Sequence, residues 1–245
     1  MFGQNNRFSD RAAAGCILAA HLADNITDAD PAHAVIVLAL PRGGVPVAWP
    51  VAERLGAPLD VCLVRKLGVP GQEELAFGAI APGGFVVYNE SVCQMLGVSE
   101  RTVAQVTDKE AIELMRRNEK YRQGRPPVDV HDKTVILVDD GIATGATMRV
   151  ACRYIRSLQP RRLIAAAPIG APDSCQAMRA EADEVVCLLQ PRDFGSVGRG
   201  YDIFPQVQDH EVLVLLERAR QRFVEGHEEA SEACPHPAPW VKPVP

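Results

Sequence analysis

Val135-Ile136-Leu137-Val138-Asp139-Asp140-Gly141-Ile142-Ala143-Thr144-Gly145-Ala146-Thr147-Met148 is the stretch on which the reading turns. Its first residues form an apolar run that reads as a strand. The run ends in two adjacent carboxylates, followed by a loop of small residues and then a helix. In open parallel sheets ligands bind beyond the carboxyl ends of the strands, which is where this loop falls. Gly141, Ala143, Gly145 and Ala146 carry little or no side chain, so backbone N–H groups can approach a ligand closely. With the helix N-terminus and the hydroxyls of Thr144 and Thr147, those amides make an anion site suited to a phosphate. Two carboxylates would repel that phosphate unless they face something else. Asp139 and Asp140, acceptors only, suit the hydroxyls of a sugar or a hydrated Mg²⁺. A ligand with a phosphate at one end and a diol at the other is described by ribose 5-phosphate.

Outward from this stretch, strands and helices alternate. The strand at 134–138 is followed by a helix over 147–158, a strand at 163–168, a helix near 173–182 and a strand at 184–189. Upstream lie a Ser9-capped helix to Asn25, a strand over 34–40 broken by Pro41-Arg42-Gly43-Gly44, a helix over 47–55 and a strand at 59–64. Such alternation predicts right-handed βαβ units and a parallel sheet. Residues 65–84 are rich in Gly and Pro and lead to a β-like Phe85-Val86-Val87-Tyr88, which reads as an exposed hairpin arm. A long polar helix over 99–124 stops at Pro126-Pro127, and an irregular loop, 191–206, precedes a last helix over 209–223. The tail, 225–245, has few apolar anchors and reads as disordered. The expected architecture is α/β: a parallel sheet flanked by helices, with a hairpin arm and a small hood from terminal segments. One domain is expected over 1–224, its core at about 34–190 and its hood from 1–30 and 191–224.

Composition narrows the function classes. The 245 residues carry a formal net charge of −5 with no basic block, which disfavours nucleic acid as the main partner. Seven cysteines include no C-x-x-C pair, and the six histidines form no ligand spacing, so neither disulfides nor a transition-metal site is expected. No apolar stretch approaches a membrane span and the N-terminus lacks a signal core, so a cytoplasmic protein is expected. Gly145 is followed by Ala146 where a Walker A loop needs Lys, and no dinucleotide fingerprint or nucleophile elbow is found.

Val135 to Thr147, with its hydrophobic run, paired acids, small-residue loop and T-G-x-T, resembles the 5-phosphoribosyl-1-pyrophosphate (PRPP) motif of type I phosphoribosyltransferases. The resemblance covers Ala34 to Leu189. It implies Mg²⁺-dependent transfer of a 5-phosphoribosyl group to a nitrogen acceptor of the nucleobase class, as in nucleotide salvage, with release of pyrophosphate. Asp139, Asp140 and Lys66 would be the catalytic residues, and Gly141, Ala143, Thr144, Gly145, Ala146 and Thr147 would hold the 5-phosphate. Leu40-Pro41-Arg42-Gly43-Gly44 falls where the family has its pyrophosphate loop: Gly43 and Gly44 would offer amides and Arg42 a charged fork. Arg65 and Lys66 fall where the family carries a mobile loop that brings cations to the leaving group. Mg²⁺ would be bound mainly through PRPP, with no metal held by the protein alone. Hood candidates are residues 9–25 and the loop containing Phe194, Tyr201 and Phe204, whose rings could stack on a base or pin the loop to the core. Ala143 replaces the acid that hypoxanthine–guanine enzymes carry, and adenine, orotate and xanthine enzymes lack that acid too. A PRPP-sensing regulator without catalysis, or a hydrolase acting on a phosphoribosyl compound, stays open. So do the acceptor and a homodimer, the latter an analogy with the family.

Overall fold

Five short runs rich in Val, Ile, Leu and Ala pair in parallel to form the central sheet: Val35–Ala39 (β1), Leu59–Val61 (β2), Thr134–Val138 (β6), Arg162–Ile169 (β7) and Glu184–Leu189 (β8). The computed structural model describes residues 7–26 and 34–232. The strand order is β2-β1-β6-β7-β8, with Val37 opposite Ile136 and Val138 opposite Ala166. Every residue of β6 is buried, as a central strand covered on both faces requires, whereas edge strand β8 is mostly half-buried. The chain leaves β1 towards β2 on one side and β6 towards β7 and β8 on the other. That reversal makes a crevice beyond the carboxyl ends of β1 and β6, the topological switch point where open α/β sheets bind ligands.

Helices cover both faces. Arg11–Asn25 (α1), Gly44–Leu55 (α2), Glu100–Arg122 (α4) and Asp209–Glu232 (α7) bury Leu18, Val51, Leu114 and Leu216 with Val37 and Ile136. On the other face Ala146–Ser157 (α5) and Pro172–Met178 (α6) bury Met148, Ile155 and Met178 with Leu137 and Leu163. Asp10, not Ser9, caps α1: its carboxylate accepts the Ala13 amide at 2.8 Å. The buried Arg122 guanidinium ties α4 to β2, donating to Asp60 at 3.1 Å and to the Val61 carbonyl at 2.8 Å.

The arm is a three-stranded antiparallel sheet of Arg65–Val69 (β3), Gln72–Ala81 (β4) and Phe85–Tyr88 (β5). Its expected exposure needs correction: Leu67, Phe77 and Ile80 are buried in the core beside α4, so the arm is anchored along its inner face. A short helix, Glu90–Met95 (α3), follows it and was not expected; Asn89 caps it through the Val92 amide at 3.3 Å. The helix near 173–182 ends at Met178, and the last helix continues past Phe223 to Glu232. The first part of the segment read as a disordered tail is thus helical; residues 233–245 lie outside the described residues, as do 1–6 and 27–33 of the expected hood and its link to β1. No described helix is long and apolar enough to cross a membrane.

Candidate active site at the switch point

The turns after β1 and β6 meet at the crevice and touch. A Cβ added to Gly43 would lie 2.0 Å from Asp140 Oδ2, and one on Gly44 would lie 2.6 Å from the Val138 carbonyl oxygen. Only glycine permits this approach, which brings the 41–44 turn against the paired acids. The Pro41–Arg42 peptide within it is cis. Arg42 sends Nη1 towards Asp209 Oδ1 at 3.8 Å, but that carboxylate is already held by Lys120 at 2.5 Å and Tyr121 at 2.6 Å. Those two donors, Lys120 first, keep the Asp209 carboxyl below its ordinary range. Arg42 adds little to this cluster and remains a neighbour of Gly43 and Asp140.

The turn after β6 is pinned at its middle and open at its end. Ile142 bridges to Gly170 beyond β7, donating to the Ile169 carbonyl at 2.9 Å and accepting from the Ala171 amide at 2.8 Å. Ser174 donates to the Ala143 carbonyl at 2.6 Å. Gly145 caps α5 with φ 70°, a left-handed conformation that favours glycine, so the amides of the first α5 turn open at the crevice. Ala143 and Thr144 are exposed there, and Thr144 Oγ1 accepts the Ala146 amide at 3.4 Å. Together they make an amide-bearing seat at the amino end of α5, of a kind suited to a phosphate.

Asp139 and Asp140 sit side by side at the rim of this seat, the Asp140 amide donating to Asp139 Oδ1 at 2.8 Å. Burial, and then the neighbouring Asp140 charge, push the Asp139 carboxyl well above its ordinary range. Burial also raises the Asp140 carboxyl, opposed by Arg11. Arg11 was not foreseen. From the first turn of α1 its Nε donates to Asp140 Oδ2 at 2.8 Å, its Nη1 to the Pro205 carbonyl at 2.7 Å, and its guanidinium lies 3.6 Å from the Phe204 ring centroid. The one signal in the sequence was a lone Arg directly ahead of the largely apolar run 12–20.

Two of the segments expected to contribute to a hood meet among the described residues. Phe8 pairs with Tyr201, and the Asp202 and Ile203 amides donate to the Phe8 and Ser9 carbonyls at 2.8 and 2.9 Å. Tyr201 is buried, stacks on Phe204 with centroids 4.9 Å apart, and donates its hydroxyl to the Asp140 carbonyl at 2.6 Å. It pins the loop and presents no free face to a ligand. Phe204 lies half-buried in a cavity of about 480 Å³ that also takes in Arg11, Arg42, Gly43 and Asp140.

The arm's two cations part company. Arg65 Nη2 lies 2.5 Å from Glu110 of α4 and joins neither cavity near the acids. Lys66 faces a different cleft, between the arm and α5, which reaches Ala146 at the end of the phosphate seat. Among the described residues no three His, Cys, Asp or Glu side chains gather to hold a metal. Paired acids beside a phosphate seat fit Mg²⁺ bound largely through ligand oxygens.

The phosphoribosyl transferase domain profile matches residues 10–202. A Mycobacterium tuberculosis H37Rv protein named "Putative phosphoribosyl transferase Rv0571c" is 46% identical over 219 residues, 89% of this chain and 48% of that protein. The chain spans about half the length of the curated relatives it matches most fully. The crystal structure of TT1426 from Thermus thermophilus superposes with a TM-score of 0.75 at 40% identity, over 86% of this chain and 98% of that one. The "Bifunctional protein PyrR" of Chloroflexus aurantiacus is 34% identical over 125 residues, 50% of this chain and 63% of that protein.

Proposed function

The chain belongs to the phosphoribosyl transferase domain family, and from that premise we propose that it transfers the 5-phosphoribosyl group of PRPP to a nitrogen acceptor, releasing pyrophosphate. The observation that carries this reading is the contact of the two switch-point turns, Gly43 against Asp140, beside an amide-lined phosphate seat. A phosphate at the Thr144–Thr147 amides leaves the attached sugar facing Asp139 and Asp140. These acids accept the ribose hydroxyls and stabilise the positive charge that builds on the ring as the bond from C1 to the pyrophosphate oxygen breaks.

The nitrogen attacks C1 from the face opposite the departing oxygen, and the electrons of the broken bond leave with pyrophosphate. Arg42 and the glycine amides beside it suit that leaving group. Lys66 can reach the phosphates only from the arm side. When bound, Mg²⁺ neutralises charge on the diphosphate; Asp139, Asp140 and the ligand oxygens would hold it. The protein's remaining work is positioning and exclusion of water. The cavity beside Phe204 is the place for the acceptor: an aromatic wall, and Arg11 and Arg42 at its polar end.

A screen of nucleobases with PRPP and Mg²⁺, read by pyrophosphate release, tests the reading. Base-dependent release that Asp139→Asn with Asp140→Asn lowers by about 10²–10³-fold or more is expected. Undiminished release in that folded double variant would reject the assignment. PRPP binding without release with any base would mark a sensor, and release without a base a hydrolase.

A further inference from the structure

We propose that the cleft between the arm and α5 is a second anion site, which takes a phosphate-bearing small molecule of nucleotide size. The cleft holds about 600 Å³, within the roughly 300–1,000 Å³ typical of small-molecule sites. Lys66 of β3 and Arg149 and Arg153 of α5 line it, and among the described residues no Asp or Glu does, although the chain as a whole carries a net charge of −5. Such a local excess of one sign focuses an attractive field on anions.

The three cations are not equivalent. Arg153 is engaged by Glu181, with Nε 3.0 Å from Oε2. Arg149 is exposed and makes no side-chain hydrogen bond or ion pair among the described residues. It lies in the first turn of α5, near the amino end of the helix, where the backbone also favours negative charge. The arm side of the cleft also presents Ala79, Val87 and the neutral polar groups of Asn89 and Ser91. Cations from both walls, Lys66 from the arm and Arg149 and Arg153 from α5, with neutral polar groups beside them, describe a ligand that carries a phosphate.

This cleft is separate from the cavity at the acids. Asp139, Asp140, Arg42 and Gly43 take no part in it, and the two share no lining residue; Lys66 and Ala146, to which the transferase reading also gives roles, line the cleft and not the cavity. The inference therefore does not rest on the transferase reading.

Calorimetric titration of the full chain with AMP and, separately, with inorganic pyrophosphate tests it, each with and without saturating ribose 5-phosphate. Binding that persists beside ribose 5-phosphate is expected. Loss of one charge-assisted contact predicts that Arg149→Gln weakens it about tenfold, while Asp139→Asn with Asp140→Asn leaves it unchanged. No binding of either probe at millimolar concentration overturns the proposal. So does displacement by ribose 5-phosphate, which would assign the anion to the switch-point site, or a change below about threefold in Arg149→Gln. The failure of the transferase reading looks different: an absence of pyrophosphate release with AMP binding intact.

Discussion

Replacing Arg11 by Met isolates the contact that joins the N-terminal helix to the paired acids. Arg11 and Asp140 side chains are 10% and 16% exposed, so solvent screens their 2.8 Å ion pair little. Removing one partner of such a pair leaves an uncompensated charge and typically costs about 3–5 kcal/mol. The lost bond to the Pro205 carbonyl and the guanidinium over Phe204 fall within that range, because Met retains part of the packing. The cost depends on pH in a definite direction. Burial already raises the Asp140 carboxyl, and without Arg11 it rises further. At acid pH, with this group protonated in the folded and unfolded chains alike, the variant loses only packing and the guanidinium's bonds to neutral acceptors. As pH rises through the unfolded carboxylate value, near 3.9, the unfolded chain releases its proton first and folding stability falls, more steeply in the variant. Urea unfolding from pH 4 to 8 reads this as a widening gap between the midpoints of the two proteins. Adding Asp140→Asn should restore about 2 kcal/mol at pH 7, the coupling expected of neighbours in one network. A double variant whose losses add to within about 0.5 kcal/mol would refute the claim that Arg11 acts through Asp140.

Asp139→Asn should leave the fold as stable as the parent or more so at pH 7. Its ionisation in the folded state is opposed by burial and by Asp140, and the amide keeps the oxygen that accepts the Asp140 N–H. Thermal melts should show the parent losing stability between the unfolded carboxylate range and neutrality and the variant losing less; identical slopes would contradict this. Gly44→Ala should destabilise more than Gly43→Ala, because its Cβ meets the Val138 backbone, whereas that of Gly43 meets a carboxylate able to swing aside. Costs at the upper and lower ends of about 1–3 kcal/mol are expected in urea titrations, with the reverse order contradicting the described contacts. Gly145→Ala forces a side chain to φ 70° beside Met178 Cε; it should cost about 1–2 kcal/mol and weaken inorganic phosphate binding in calorimetry.

The central strand and its turn were legible because burial on both faces imposes a continuous apolar run, and because two acids before a glycine-rich loop have few other uses. Both Val135 to Val138 and Glu184 to Leu189 lie in the strands read from sequence. The proximity of Gly43 to Asp140 follows from strand order, which places β1 beside β6 across almost a hundred residues of intervening chain, a relation that local pattern does not carry. Arg11 was missed for the same reason: its partner is 129 residues away. The arm's inner face was missed because Leu67, Phe77 and Ile80 are diluted among Gly, Pro and charged residues that read as exposed. Arg65 and Lys66, adjacent in sequence and read together as ligand cations, point apart because successive strand residues face opposite sides, one towards Glu110 and the other towards the cleft.

Crystals or calorimetry with ribose 5-phosphate test the central claim most directly, since this ligand presents the two groups that the turn after β6 is held to recognise. The account predicts binding with the phosphate on the Thr144–Thr147 amides and the ribose hydroxyls on Asp139 and Asp140, abolished when both acids become Asn. A chain that binds no phosphoribosyl compound at millimolar concentration, or that seats the phosphate elsewhere with both acids turned away from the sugar, would contradict it.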